Sequence, residues 1–348
     1  MKNIYLTIDE IFVKWQISIT PNEIYDLWNA PHRFYHNVPN HLEPMLKKIM
    51  EFKNDFDLDQ NSFEILIVAA LFHDIVYDPK SSSNELDSLR YFDNVIPTQI
   101  YEKGCKELIV ADLIRMTIDH KPKNKLEELF CMFDLNGFTY DLSNLMKIED
   151  LLFKEFEWVN WKTYKVERIK ILKRFLDLRN ELPIKMNVQG VTDMINLIEN
   201  RNPNIAIYAG SFNPFTIAHE NIVKKSEQIF DKVILAKGKN DTKKIDEEQF
   251  EKEFQNLKNL FPSKEIISYS GLLTDVLREQ EGKITLIRGI RNGNDLEAEN
   301  TLITYMKDMY PELKVVYIPC DKKYEHISSS AIRSIRNHGE HLISKYLP

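Results

Sequence analysis

Cysteine is scarce in this chain. Cys105, Cys131 and Cys320 stand far apart and form no CxxC pair. That spacing argues against a disulfide framework and a thiolate zinc site, and it suits a reducing compartment. Long hydrophobic runs are lacking too. The longest apolar stretch, Ile65 to Phe72, is far too short to cross a bilayer. Residues 1–20 carry charges among their apolar positions where a secretion signal would have an apolar core. Positive charge is not in excess: the formal net charge is −7 at pH 7. Broad, sequence-independent nucleic-acid binding is therefore disfavoured, although local basic pockets remain open. There is no internal repeat and no low-complexity tract. The expectation is a soluble cytoplasmic protein without nucleic-acid or membrane partners.

What is present is ordinary globular material, 43% hydrophobic and 28% charged over 348 residues. That length predicts two domains. Residues 1–182 read as nearly all helix, with apolar residues at spacings of three and four in Leu42–Phe52, Phe63–Phe72, Leu86–Phe92, Leu108–Ile118, Leu145–Phe156 and Tyr164–Leu178. Residues 183–203 read as a linker with one helix near Val191–Glu199. From residue 204 the rhythm changes. Strand patterns at Ile205–Ala209, Lys232–Ala236, Glu265–Ser268, Thr285–Arg288 and Lys314–Ile318 alternate with helical patterns. Residues 204–348 thus predict an α/β, Rossmann-like, doubly wound parallel sheet, with its ligand site at the strand carboxyl ends.

In the helical half the chemistry sits in Phe72-His73-Asp74-Ile-Val-Tyr77-Asp78-Pro79. A buried helix end rarely carries adjacent ionisable groups unless something pairs them. Imidazole with carboxylate suits Mn, Fe, Co, Ni or Mg. Candidate partners exist upstream, in His32-Arg33-Phe34-Tyr35-His36-Asn37 with His41, and downstream at Asp134. Arg33, Lys121 and Lys123 offer phosphate contacts, but each reads more simply as a solvated charge. His120 reads equally well as a helix-terminal histidine or a site residue. The pattern resembles the HD phosphohydrolase superfamily, and within it a group with Tyr-His-Asn-x-x-His, Phe-His-Asp-x-x-Tyr-Asp-Pro and Asn-Glu-x-x-Ser, here ending in Asn84, Glu85 and Ser88. The resemblance implies a helical HD-type domain with His41, His73, Asp74 and Asp134 as metal ligands. His36 would then lie behind the ligands or face a substrate. Asp134 stands in Met132-Phe133-Asp134-Leu135, where the group usually has Asp-Ala-Asp-Leu.

In the other half, the stretch from Ile205 to His219 reads as a strand, a Gly210-Ser211 turn and a helix start. Free backbone N–H groups at such a helix start suit an anion, and Thr216 and His219, one turn apart, can both face it. Polar residues also gather after later strands: Lys237 to Lys244, Arg288-Gly289-Ile290-Arg291, and Ile327-Ser328-Ser329-Ser330-Ala-Ile-Arg333. Cations and hydroxyls from three strands describe a polyphosphate site. Gly210-Ser211-Phe212-Asn213-Pro214-x-Thr216-x-x-His219 resembles the nucleotidylyltransferase signature, with Ala218 in place of the usual glycine. The order of all these motifs resembles bacterial phosphopantetheine adenylyltransferase across 204–348.

That resemblance implies transfer of AMP from ATP, with Mg²⁺, to 4′-phosphopantetheine. It implies catalytic roles for His219, Lys243 and Arg288, and nucleotide contacts from Gly210, Ser211, Phe212, Thr216, Arg291, Glu299, Ser328, Ser329 and Ser330. The resembling enzymes are homohexamers, so a homo-oligomer is expected. The acceptor side departs from the family at Ala298, Tyr305 and Met306, so a different phosphorylated acceptor is the alternative. The chain as a whole then reads as a bifunctional enzyme. The competing readings are an HD domain that only binds nucleotide and regulates, and a catalytically dead scaffold. The scaffold is disfavoured because both sets of charged residues are present.

Overall fold

The computed structural model describes residues 2–96, 105–239, 247–336 and 338–348. They form two compact units, one of residues 1–155 with 167–199 and one of residues 156–166 with 200–348. The sequence places boundaries at 182 and 204. In the structure Phe156–Val166 groups with the second unit, and residues 183–199 group with the first. The reason is contact. Glu157 Oε1 accepts the Val233 N–H at 2.8 Å, and Oε2 pairs with Lys264 at 3.0 Å. A helix over Val188–Asn200 buries Val191, Met194, Ile195 and Ile198.

The first unit is helical: α1 (Lys2–Trp15), α2 (Pro21–Trp28), α3 (Glu43–Phe56), α4 (Gln60–Phe72), α5 (Asn84–Val95), α6 (Lys106–Met116), α7 (Lys125–Asp134), α8 (Leu142–Glu155), most of α9 (Trp161–Asp177), and α10 (Val188–Asn200). α1, α2 and α7 do not stand out in the hydrophobic pattern, yet α2 and α7 carry good start signals. Thr20 and Glu23 cap each other reciprocally ahead of α2, and Asn124 accepts two backbone N–H groups ahead of α7. α4 is the axis of this unit. Asp59 caps it, every residue from Phe63 to Phe72 is buried, and it packs on α3, α5, α6 and α7. Leu66, Ile67, Leu71 and Phe72 are fully enclosed, each worth ~1.5–3 kcal/mol over an exposed side chain. No described helix is long and apolar enough to cross a membrane.

The second unit holds a parallel five-stranded sheet in the order β3-β2-β1-β4-β5. Its strands are β1 (Asn204–Gly210), β2 (Lys232–Gly238), β3 (Ile266–Tyr269), β4 (Lys283–Ile290) and β5 (Val315–Pro319). The helices between and after them are α11 (Ile217–Ser226), α12 (Glu247–Leu260), α13 (Leu273–Glu279), α14 (Gly293–Met309) and α15 (Ser329–Arg336). In register, Ile207 of β1 lies between Ile234 of β2 and Leu286 of β4, and all three are buried. Strand order reverses at β1 and β4, so a crevice opens at the carboxyl ends of those two strands.

Candidate functional site

Two helix ends of the first unit point at one place. α4 ends at Phe72 and is followed by His73 and Asp74, while α7 ends at Asp134. The negative ends of helix dipoles favour a cation. A single π-type turn, Val38–Leu42, capped by Asn37, brings in His41. The Nε2 atoms of His41 and His73 lie 3.1 Å apart. Asp134 Oδ1 is 3.3 Å from the first and 3.6 Å from the second, and Asp74 Oδ2 is 3.9 and 3.4 Å from them. Ligands about 2.0–2.2 Å from a shared ion have such separations. His73 Nδ1 donates to the Ala70 carbonyl at 2.9 Å, so the Nε2 lone pair faces the cluster. The donor set therefore fits a divalent cation. Burial opposes ionisation of Asp134, but the hydrogen bond from His120 and the imidazoles of His41 and His73 beside it hold its pKa well below the ordinary value.

Three features of this region go beyond what the sequence pattern shows. Glu155, wholly buried at the end of α8, receives the N–H groups of Phe34, Tyr35 and His36 on Oε1 at 2.7–2.9 Å. Its Oε2 takes the His36 ring at 2.7 Å and the Tyr77 hydroxyl at 2.8 Å. Burial pushes the Glu155 pKa up, but the charge and hydrogen bonds of His36 outweigh it and set the pKa at about 2. The signal was an acid on the apolar stripe of α8, in line with Leu145 and Leu152. Arg33 is 6% exposed, not solvated as its charge suggested. Its guanidinium donates to the carbonyls of His36, Asp74 and Ile75 and lies against Trp28 and Tyr77. His120 Nε2 lies 3.0 Å from Asp134 Oδ2. By contrast, Lys121 and Lys123 are exposed. His36, tied to Glu155, stands outside the His41–His73–Asp134 group. Asn84 and Ser88 are structural: Asn84 pairs with the backbone of Asp78, and Ser88 with that of Val76.

In the second unit the crevice at β1 and β4 holds a cavity of about 280 Å³. Gly210, Ser211, Phe212, His219, Arg288, Arg291, Glu299 and Ser328 to Ser330 all line it. Gly210 is required by close approach, since a Cβ there would sit 2.8 Å from the Phe212 ring. Phe212 itself takes φ +45°, the left-handed region that side chains with a Cβ avoid. His219 occupies the third position of α11. Its Nδ1 accepts the Thr216 N–H at 3.0 Å, and the Thr216 hydroxyl accepts the His219 N–H at 3.4 Å. Nδ1 is therefore an acceptor, and the ring proton sits on Nε2 as a donor. Burial among Phe212, Phe215 and Tyr208, followed by the charge of Arg291, lowers the His219 pKa to about 4. Thr216, expected to face the anion, is fully buried and caps α11.

The arginines are pre-set by acids. Glu299 binds Arg288 Nε and Nη2 through both oxygens at 2.5 Å, and Arg288 Nη1 reaches the Ala209 carbonyl. Asp295 binds Arg291 Nε and Nη2 at 2.7 and 2.8 Å. Each fork is thus held in one orientation, with part of its charge offset. Ser329 donates to the Pro214 carbonyl at 2.9 Å, and Arg333 bonds the Asn213 carbonyl, which ties α15 to the β1–α11 turn. Ala218 joins an apolar cluster with Ile327, Ile332 and Ile343, which accommodates the methyl that a glycine would lack.

This region matches known proteins. The cytidylyltransferase-like family matches residues 207–335. A phosphopantetheine adenylyltransferase of Porphyromonas gingivalis is 39% identical over 147 residues, 42% of this chain and 94% of that protein. One of Clostridium tetani is 34% identical over 138 residues, 39% of this chain and 86% of that protein. Through its C-terminal region the chain belongs to the phosphopantetheine adenylyltransferase family. A solved Plasmodium falciparum nicotinic acid mononucleotide adenylyltransferase covers 41% of this chain and 90% of its own at 18% identity, with a TM-score of 0.28 that carries no weight for the fold.

Within this adenylyltransferase unit the departures fall away from the cavity. Ala298 and Tyr305 lie on the exposed side of α14, Tyr305 at 65%, and Met306 is buried in the interior. None of the three lines the cavity. Lys243 lies outside the described residues. Lys237, at the end of β2, is the cation that is built in. It is 1% exposed and donates to the Ser211 carbonyl at 2.6 Å and to Glu253 at 2.9 Å. Lys237→Met removes the cation beside Glu253, leaving that mostly buried carboxylate with Gln249 as a donor, and frees the Ser211 turn. We expect a loss of ~3–5 kcal/mol in this unit, the usual cost of breaking a buried pair, read as a lower urea midpoint.

Proposed function

We propose that the second unit transfers AMP from ATP to 4′-phosphopantetheine, giving dephospho-CoA and pyrophosphate, and that the first unit is an HD-type metal-dependent phosphohydrolase. The observation that carries the transferase reading is the gathering of a neutral imidazole donor, two oriented guanidinium groups and a serine-lined helix start around one cavity. The relatives' printed names supply the reaction. The Gly210-Ser211 turn and His219 Nε2–H hold the α-phosphate of ATP. Arg291 and Ser328 to Ser330 hold the β and γ phosphates. Arg288, steadied by Glu299, and Lys243 neutralise the acceptor phosphate and the charge that builds in transfer. The acceptor phosphate is already ionised, so no protein base is needed, and catalysis is positioning and charge stabilisation. Mg²⁺ accompanying ATP would supply charge neutralisation for the pyrophosphate. Pyrophosphate release from ATP should depend on 4′-phosphopantetheine. Release with another phosphorylated acceptor and not with this one would reject the acceptor assignment while keeping adenylyl transfer.

For the first unit, the meeting of His41, His73, Asp74 and Asp134 supports the reading. These residues would hold a divalent ion, Mn, Fe, Co, Ni or Mg. Such an ion lowers the pKa of a water ligand and polarises a phosphoryl oxygen. Arg33 and Glu155 brace the loops that carry the ligands. A screen of phosphate esters with the metal-loaded chain tests this, and absence of turnover alongside tight nucleotide binding would favour a regulatory domain.

A further inference from the structure

The two oxygens of Asp134 are used differently. Oδ1 faces the His41 and His73 nitrogens at 3.3 and 3.6 Å, while Oδ2 lies 3.0 Å from His120 Nε2. An ionised carboxylate only accepts hydrogen bonds, so Nε2 of His120 carries the proton and donates. The His120 ring is also fixed from the side, since it meets Phe175 edge-on at 5.6 Å. Its backbone takes φ +54°, the left-handed region where glycine or asparagine is the usual helix-end residue. Histidine is among the non-glycine residues enriched there, and its imidazole gives the position a ring long enough to reach Oδ2.

Resting on the reading of this cluster as a metal centre, we propose that His120 is a positioning residue that holds Asp134 by Oδ2, so that Asp134 ligates the ion through Oδ1 alone. Without the donor, the carboxylate is free to turn and to offer both oxygens or neither. Hydrogen bonds behind a ligand are worth about 10–100-fold in metal affinity. The role differs from that of a fifth ligand, because the proton on Nε2 blocks coordination through that atom.

The test uses the full chain, stripped of metal and titrated with Co²⁺, for His120→Asn, His120→Gln and His120→Leu. Asparagine suits the left-handed backbone but is too short to reach Oδ2, so His120→Asn keeps its circular dichroism and thermal midpoint. Glutamine places an amide donor near the position of Nε2. The expected result is an affinity ~10–100-fold weaker in His120→Asn and His120→Leu, with an altered Co²⁺ absorption spectrum, and recovery to within ~3-fold in His120→Gln. Wild-type affinity and spectrum in His120→Asn would overturn the proposal. So would a loss in His120→Gln as deep as in His120→Asn, because the donor would then be irrelevant. If His120→Leu fails to fold, the Asn and Gln variants decide. If the wild-type chain takes up no Co²⁺ beyond a His73→Ala control, the metal centre itself is rejected, and His120 with it.

Discussion

His219→Ala is expected to lower kcat for adenylyl transfer about 10²–10³-fold, the usual cost of removing one preorganised donor from a site of developing charge. The loss should fall on kcat more than on the KM for ATP, because the donor acts most on charge that grows during transfer. His219→Gln, whose amide can occupy the Nε2 position, should recover part of it. The imidazole also carries a pH signature. With its pKa held near 4 by burial and then Arg291, it stays neutral in the folded chain while the unfolded chain binds a proton below about 6.5. The unfolded state then binds more protons, so stability is undisturbed by this group above pH 6.5 and falls as pH drops from 6.5 toward 4. Within that window the slope approaches ~1.4 kcal/mol per pH unit. Urea midpoints measured across the window should show that slope in the wild-type protein and lose it in His219→Ala. Equal slopes in the two proteins would mean that burial and Arg291 do not hold this imidazole neutral.

His73→Ala is the second large effect. It deletes one imidazole from a set in which His41 and His73 face each other at 3.1 Å. Metal content of the purified chain should drop from about one ion to near zero, since the three remaining ligands, His41, Asp74 and Asp134, hold an ion far less well. Phosphoester hydrolysis should go with it, by ~10³-fold or more. Pyrophosphate release by the second unit should stay unchanged, because no residue placed in its cavity belongs to the first unit. Metal content equal to wild type would sink the ligand assignment, whatever happens to turnover.

The α/β half was legible in outline because its signals are local. Strand runs end in Gly210, Gly238 and Arg288-Gly289, and the helix Glu247–Leu260 shows its full length in the hydrophobic pattern. In a doubly wound sheet, motifs at successive strand ends must meet at one edge, so Gly210, His219, Arg291 and Ser328 could be grouped before any coordinates. Thr216 reads equally well from sequence as cap or ligand, and the structure shows the capping role. In the helical half, His41, His73, Asp74 and Asp134 were named through the resemblance to the HD superfamily. Glu155 shows in the sequence only as an acid on the apolar stripe of α8, which does not reveal the backbone N–H groups it binds.

The sequence alone determined two dissimilar domains, a strand-turn-helix at Gly210–His219 of the kind that suits an anion, and a histidine–aspartate set suited to a cation, because spacing and residue chemistry are written along the chain. Tertiary structure alone decided that Phe156–Val166 belongs to the second unit and that Arg33 is an interior clamp. It also set the ring proton of His219 on Nε2, and it placed His120 behind Asp134. Each of these depends on contacts between residues distant in sequence or on the direction in which a side chain points, and neither is encoded in the order of residues around it.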